Sequence, residues 1–200
     1  YNTDLVRSTP TPLSVARQGP AGASVGNYAL FAGGEDVDYN HSSTVDAYNT
    51  DLVRSTPTAL SVARQSLAGA SVGDYALFAG GYDVDYNYSS TVDAYDTSLT
   101  RSTPTALSVA RSALAGASVG DYALFAGGYW DVDYNFSSIV DAYDTSLTRS
   151  TPTGLSVRRG YLAGASVGNY ALFAGGRDVD YNYSSTVDAY NTDLVRSTPT

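Results

Sequence analysis

The 200-residue chain has no cysteine, no methionine and no lysine, and only one histidine, one tryptophan and one glutamate. Without cysteine there is no disulfide framework and no thiol chemistry. With His41 as the only imidazole, a repeated histidine-based acid–base or metal centre is impossible. No apolar run approaches the ~18 residues of a membrane span, so membrane insertion is not expected. All 11 cationic side chains are arginines, set against 19 Asp and one Glu, for a formal net charge of −9. That sign argues against a nucleic-acid partner, whose phosphates require a basic surface, and suits solubility or a cation-rich partner.

These absences are one observation made four times, because the chain is a single unit repeated. The tyrosine of V-D-A-Y recurs at Tyr48, Tyr95, Tyr143 and Tyr190, at spacings of 47, 48 and 47 residues, and Trp130 is the extra residue in the longer interval. The units run approximately 1–47, 48–94, 95–142 and 143–189, with a remnant at 190–200 that repeats residues 1–11 unchanged. The chain opens on Tyr1 and closes inside a repeat. That is expected of part of a larger array, or of a piece whose ends meet other copies. A period of this length signals stacked supersecondary units, each too small to bury its own apolar face.

The second unit reads as four short strands. Ser66 to Val72 is small and apolar, Gly73-Asp74 is a turn pair, and Tyr75 to Ala79 is aromatic and aliphatic up to Gly80-Gly81. Ser90 to Tyr95 is a third run, Asp96-Thr97-Ser98 a second turn, and Leu99 to Thr103 a last strand ended by Pro104. Four antiparallel strands per unit predict an all-β propeller segment of four blades. The small residues Ala68, Gly69, Ala70 and Ser71 are expected innermost, where copies crowd, with Leu77 and Phe78 filling the space where blades splay. A helical reading of residues 105–117 is disfavoured by Pro104, Gly116 and the poor 3.6 period.

The unit resembles the kelch repeat, over nearly the whole chain. The resemblance rests on an arginine before the first strand (Arg17, Arg64, Arg111, Arg159) and a glycine doublet after the second (Gly33-Gly34, Gly80-Gly81, Gly127-Gly128, Gly175-Gly176). The V-D-A-Y tyrosine on the third strand completes it. It implies four-stranded blades in a closed propeller, usually of more than four blades. Where the family carries a Trp, about six residues after that Tyr, this chain has Arg7, Arg54, Arg101, Arg149 and Arg196. A guanidinium there is able to stack flat on aromatics while its stem covers apolar surface. Four blades expose apolar end faces, so closure is expected to need further repeats or other copies of the chain.

The loop after the glycine doublet carries the candidate chemistry. Its D-V-D-Y-N motif supplies Asp36, Asp38 and Asn40, then Asp83, Asp85 and Asn87, Asp131, Asp133 and Asn135, and Asp178, Asp180 and Asn182. Alternating side-chain oxygens of this kind begin Ca²⁺ loops, which makes Ca²⁺ the one candidate cofactor, although the turn glycine and bidentate glutamate of such loops are missing. The plainer reading is a solvated turn-forming loop. Asn40, Asn87, Asn135 and Asn182 also head N-x-S tripeptides and are candidate glycosylation acceptors. Tyr39, Tyr82, Tyr86, Tyr88, Tyr129, Trp130, Tyr134, Phe136, Tyr181 and Tyr183 are the candidate contact residues, able to serve a partner surface or to pack between loops.

An enzyme is not expected: copper-oxidase chemistry on this fold requires cysteine, the arginines occupy repeat-equivalent places, and identical shallow loops are a poor start for one asymmetric site. The expected function is a non-catalytic, repetitive binding or assembly module, touching protein or glycan at a cell or virion surface or in a secreted structure. A self-assembling filament protein and a carbohydrate-binding propeller are the alternatives.

Overall fold

A computed structural model describes residues 3, 5–131 and 135–199. Among the described residues sixteen strands form four separate four-stranded antiparallel sheets. The first holds β1 (Ala21–Val25), β2 (Tyr28–Ala32), β3 (Val45–Tyr48) and β4 (Arg54–Ser55) in sequence order. The second holds β5 (Ala68–Val72), β6 (Tyr75–Ala79), β7 (Val92–Asp96) and β8 (Arg101–Ser102). The third holds β9 (Ala115–Val119), β10 (Tyr122–Ala126), β11 (Val140–Asp144) and β12 (Arg149–Ser150). The fourth holds β13 (Ala163–Val167), β14 (Tyr170–Ala174), β15 (Val187–Asn191) and β16 (Arg196–Ser197). This is the four-blade propeller-like arrangement that the repeat predicts. Residues 105–117 form a connector and a strand, with no helix.

The hairpins follow from local chemistry. Gly73-Asp74 joins β5 to β6, and Gly73 has a φ of 48°, a left-handed conformation that glycine adopts without a Cβ clash. The strands pair Val72 with Tyr75 and Ala68 with Ala79, which places Leu77 and Phe78 on opposite faces. Each sheet therefore has two unlike apolar faces. Leu77, Val72 and the small residues of β5 face the next blade, joining Phe125 and Tyr143 in one buried cluster. Phe78, Ala76 and Tyr95 face the preceding blade, joining Val25 and Leu30 in another. The core is a stack of three such layers between blades, not one shared centre.

The first strands crowd together as the small residues require. A Cβ built on Gly69 would lie 2.2 Å from the Gly22 carbonyl oxygen, and those on Gly116 and Gly164 meet the preceding glycine's oxygen at the same distance. Serines clip these strands together. Ser71 Oγ donates to Ser24 O at 2.7 Å and accepts the Ser24 N–H at 3.1 Å. Ser118 repeats this on Ser71, and Ser166 on Ser118.

Buried ion pairs fasten each connector to the blade it enters. Arg64, entering the second blade, lies 2.8 Å from Asp93 of V-D-A-Y with neither side chain exposed, and donates to Phe78 O. Arg17–Asp46, Arg111–Asp141 and Arg159–Asp188 repeat the pair. The arginines in the place of the family's Trp reach carbonyls and carboxylates. Arg54, Arg101 and Arg149 donate to connector carbonyls of Pro12, Ala59 and Ala106 and lie within 3.8 Å of the same aspartates. Each V-D-A-Y aspartate is thus clamped by two guanidiniums.

Candidate functional site

The D-V-D-Y-N loop is a tight turn built by its first residue. Asp83 Oδ1 accepts the N–H groups of Asp85 at 3.0 Å and Asn87 at 2.9 Å, and Asn87 Nδ2 donates to the other carboxylate oxygen. Asp36 holds its loop in the same way, Asp178 accepts the Asp180 and Asn182 N–H groups, and Asp131 receives both the N–H and the side-chain amide of Asn135. The Asn40 and Asn87 hydrogen bonds pull the Asp36 and Asp83 carboxyls below their ordinary range. The carboxylates that lead the expected Ca²⁺ set therefore already serve backbone amides. Among the described residues no group of three or more His, Asp or Glu side chains gathers into a metal site. Asp133 and Tyr134 lie outside the described residues.

This turn pushes a valine and a tyrosine outward. Val37 and Tyr39, Val84 and Tyr86, and Val179 and Tyr181 are exposed, with Asp38, Asp85 and Asp180 between them. The three tyrosines have φ between 61° and 63°, a left-handed conformation that costs roughly 1–2 kcal/mol for a residue with a Cβ. The asparagines of the four N-x-S tripeptides sit on the exposed side of the loop. The following serine bonds the chain instead: Ser89 Oγ accepts the Thr91 N–H.

The nine candidate aromatics among the described residues divide between packing and exposure. Tyr129 and Phe136 are buried; Tyr82, Tyr88 and Trp130 are half-buried; Tyr39, Tyr86, Tyr181 and Tyr183 are exposed. A line of edge contacts runs from His41 to Tyr82 at 5.3 Å, from Tyr88 to Tyr129 at 5.6 Å, and from Phe136 to Tyr181 at 6.3 Å. Each contact crosses a blade junction. Burial pushes the Tyr82 hydroxyl up, with Tyr129 adding to the effect.

The neighbours of these rings were not singled out by motif. Gln18, Glu35 and His41 are bridged side by side above the first sheet; Gln65, Tyr82 and Tyr88 above the second; Ser112, Tyr129 and Phe136 above the third; Gly160, Arg177 and Tyr183 above the fourth. At the first junction the Glu35 carboxylate accepts amide hydrogens from Gln18 and Gln65 and lies 3.6 Å from His41 Nε2. The signal in the sequence was divergence. Within near-identical units these are places where the copies differ, and the fold gathers them into one layer under the rim. On the open side of the first blade a cavity of about 380 Å³ is lined by Gln18, Glu35, Tyr39 and the neighbouring Arg17 and Asp36.

No protein-family model and no curated protein sequence matches the chain. Solved structures do: 214 chains match, among them the structure of YjhT, with a TM-score of 0.75 and 13% identity over 91% of this chain and 68% of that one. At that identity the likeness speaks for the fold alone.

Proposed function

We propose that the chain is a non-catalytic, multivalent contact module that engages a repetitive protein or glycan partner through its loop rim. The observation that carries this reading is the conformation shared by the three described loop tips, of the first, second and fourth blades, each presenting an exposed Val, Asp and Tyr held by a capping aspartate. Repeated weak contacts at fixed spacing gain from effective concentration, so avidity exceeds the affinity of any one tip. Tyrosine suits the role, giving rigid amphipathic area against sugar faces or protein. Exposed Asn40, Asn87, Asn135 and Asn182 at the same rim fit a surface or secreted setting. The kelch-like glycine doublets and V-D-A-Y tyrosines agree with a scaffold of this kind.

Binding to glycan and peptide arrays tests the reading. A triple Tyr39→Asn, Tyr86→Asn, Tyr181→Asn variant keeps side chains suited to the left-handed turn. It is expected to lose binding far more than any single substitution while its circular dichroism is unchanged. A triple variant that binds like the parent overturns the reading.

A second reading, self-assembly, is favoured by the uncovered outer faces of the first and fourth blades. Phe31 is 36% exposed where Phe78, Phe125 and Phe173 are at 0%. Val167 is 60% exposed where Val25, Val72 and Val119 are at 2–3%.

A further inference from the structure

The two uncovered faces are the two unlike halves of a junction that the chain already makes three times. Across each internal junction the glycine doublet donates to the next connector: Gly34, Gly81 and Gly128 N–H bond to Arg64 O, Arg111 O and Arg159 O. In the fourth blade Gly176 occupies that place, and Arg17 O is the matching acceptor at the other end of the chain. The serine clip ends the same way. Ser24 Oγ meets Ser71 Oγ at 3.4 Å, while the later serines each donate to a preceding carbonyl; the Ser166 carbonyl is the next acceptor in the series.

Shape repeats the pattern. Each turn leucine of a following blade, Leu99, Leu147 or Leu194, packs into the cluster before it. Leu52 of the first blade is exposed, and the fourth blade has a cavity of about 290 Å³ between Val167, Tyr170 and Leu172. In the rim layer His41, Tyr88 and Phe136 each lean on the following blade. The fourth member, Tyr183, is 92% exposed. The place it would occupy on a following blade is lined by Gln18, Glu35 and Tyr39, the walls of the 380 Å³ cavity on the first blade.

We propose that the chain associates head to tail with a second copy of itself, the fourth blade of one copy receiving the first blade of the next, with Tyr183 seated in the Gln18–Glu35–Tyr39 cavity. The proposal rests on the self-assembly reading and specifies its surface. A second copy fits where an unrelated partner would not, because the first strands meet backbone to backbone. Gly22 would face the Gly164 carbonyl at the spacing seen for Gly69 on Gly22, where a Cβ has no room. Pro20 stands where the other connectors carry Leu67, Leu114 and Leu162, and it too is apolar. The contact is heterologous, so it propagates until a ring closes or a filament grows.

The test is mass by light scattering and native mass spectrometry on the 200-residue chain with two variants. Gly22→Ala blocks the head alone: in a single chain its Cβ meets nothing closer than the Phe31 ring at 3.8 Å, so the fold is retained. Tyr183→Asp blocks the tail by placing a carboxylate beside Glu35. The parent chain is expected to form multi-chain particles, and each variant to weaken association roughly tenfold or more, with unchanged circular dichroism. Mixed together, the variants share one intact junction and are expected to form two-chain particles and nothing larger. A parent chain that stays at single-chain mass at every concentration overturns both this junction and the self-assembly reading. Multi-chain particles that both variants still form leave self-assembly standing and overturn the head-to-tail junction.

Discussion

Arg64 and Asp93 meet at 2.8 Å with neither side chain reaching solvent, one contributed by a connector and the other by the centre of a sheet. The pair fastens the incoming chain to its own blade, and its equivalents recur in all four. Burial pulls the Arg64 guanidinium below its ordinary range, and the Asp93 carboxylate opposes that pull. Removing one partner leaves an uncompensated buried charge. Asp93→Asn is therefore expected to cost about 3–5 kcal/mol in urea unfolding. Substituting both members by apolar residues is expected to cost much less, and a double substitution no better than the single one would refute the pairing.

The tyrosines of V-D-A-Y set an alkaline limit. Tyr95, Tyr143 and Tyr190 donate their hydroxyls to Thr58, Thr105 and Thr153 carbonyls. Burial, reinforced by the neighbouring aspartates, raises all three well above the ordinary value of 10.0. A raised folded-state value gives stability that is whole below the unfolded value and lost as pH climbs toward the folded one. Melting temperature is expected to fall from about pH 10 upward, with phenolate absorbance rising together with unfolding. At the acid end the sign reverses. Asp36 and Asp83 are held low by hydrogen bonds; at Asp46 burial works upward but Ser14 and Arg17 outweigh it. Their contribution is present above about pH 4 and lost below it as they protonate.

Gly69→Ala tests the crowding of the inner strands. The added methyl would sit 2.2 Å from the Gly22 oxygen, a backbone atom that cannot move aside cheaply. A loss of about 1–3 kcal/mol is expected in chemical denaturation. A neutral result would show that the blades are spaced more widely than described.

Tyr39 holds a φ of 63° while its ring is exposed, so the fold gains little from that side chain. Tyr39→Gly is expected to raise stability by up to ~1 kcal/mol, measured by thermal melting, because glycine adopts the left-handed turn without strain. If the same variant loses rim binding, the strain is kept for contact rather than for folding.

Asp83→Ala removes the acceptor that the Asp85 and Asn87 amides share. Hydrogen exchange at those two amides is expected to accelerate while exchange in β6 and β7 stays the same. Slow exchange at both would show that the loop holds its turn without the aspartate.

Local pattern made much of this molecule legible. The hairpin of the second unit follows from Gly73-Asp74 and Gly80-Gly81, because turn residues act over a few bonds and need no partner, whereas the last strand is only Arg101–Ser102, since Leu99 stands in a left-handed turn at a φ of 62°. The 47-residue period fixes four equal blades, and the run of Ala, Gly and Ser marks the innermost strand for steric reasons alone. What the chain could not announce was where side chains from distant residues meet. Nothing in the repeat pairs Arg54 with Asp46, yet it joins Arg17 on that aspartate, which lies buried mid-sheet. The rim aromatics were one list in the sequence. Only packing across the junctions separated buried Tyr129 and Phe136 from exposed Tyr39 and Tyr183. Repeat identity determined that every blade has the same two faces. Tertiary structure decided that two of those faces are left without a neighbour, since a side chain's burial depends on which blade stands beside it and not on its place in the repeat.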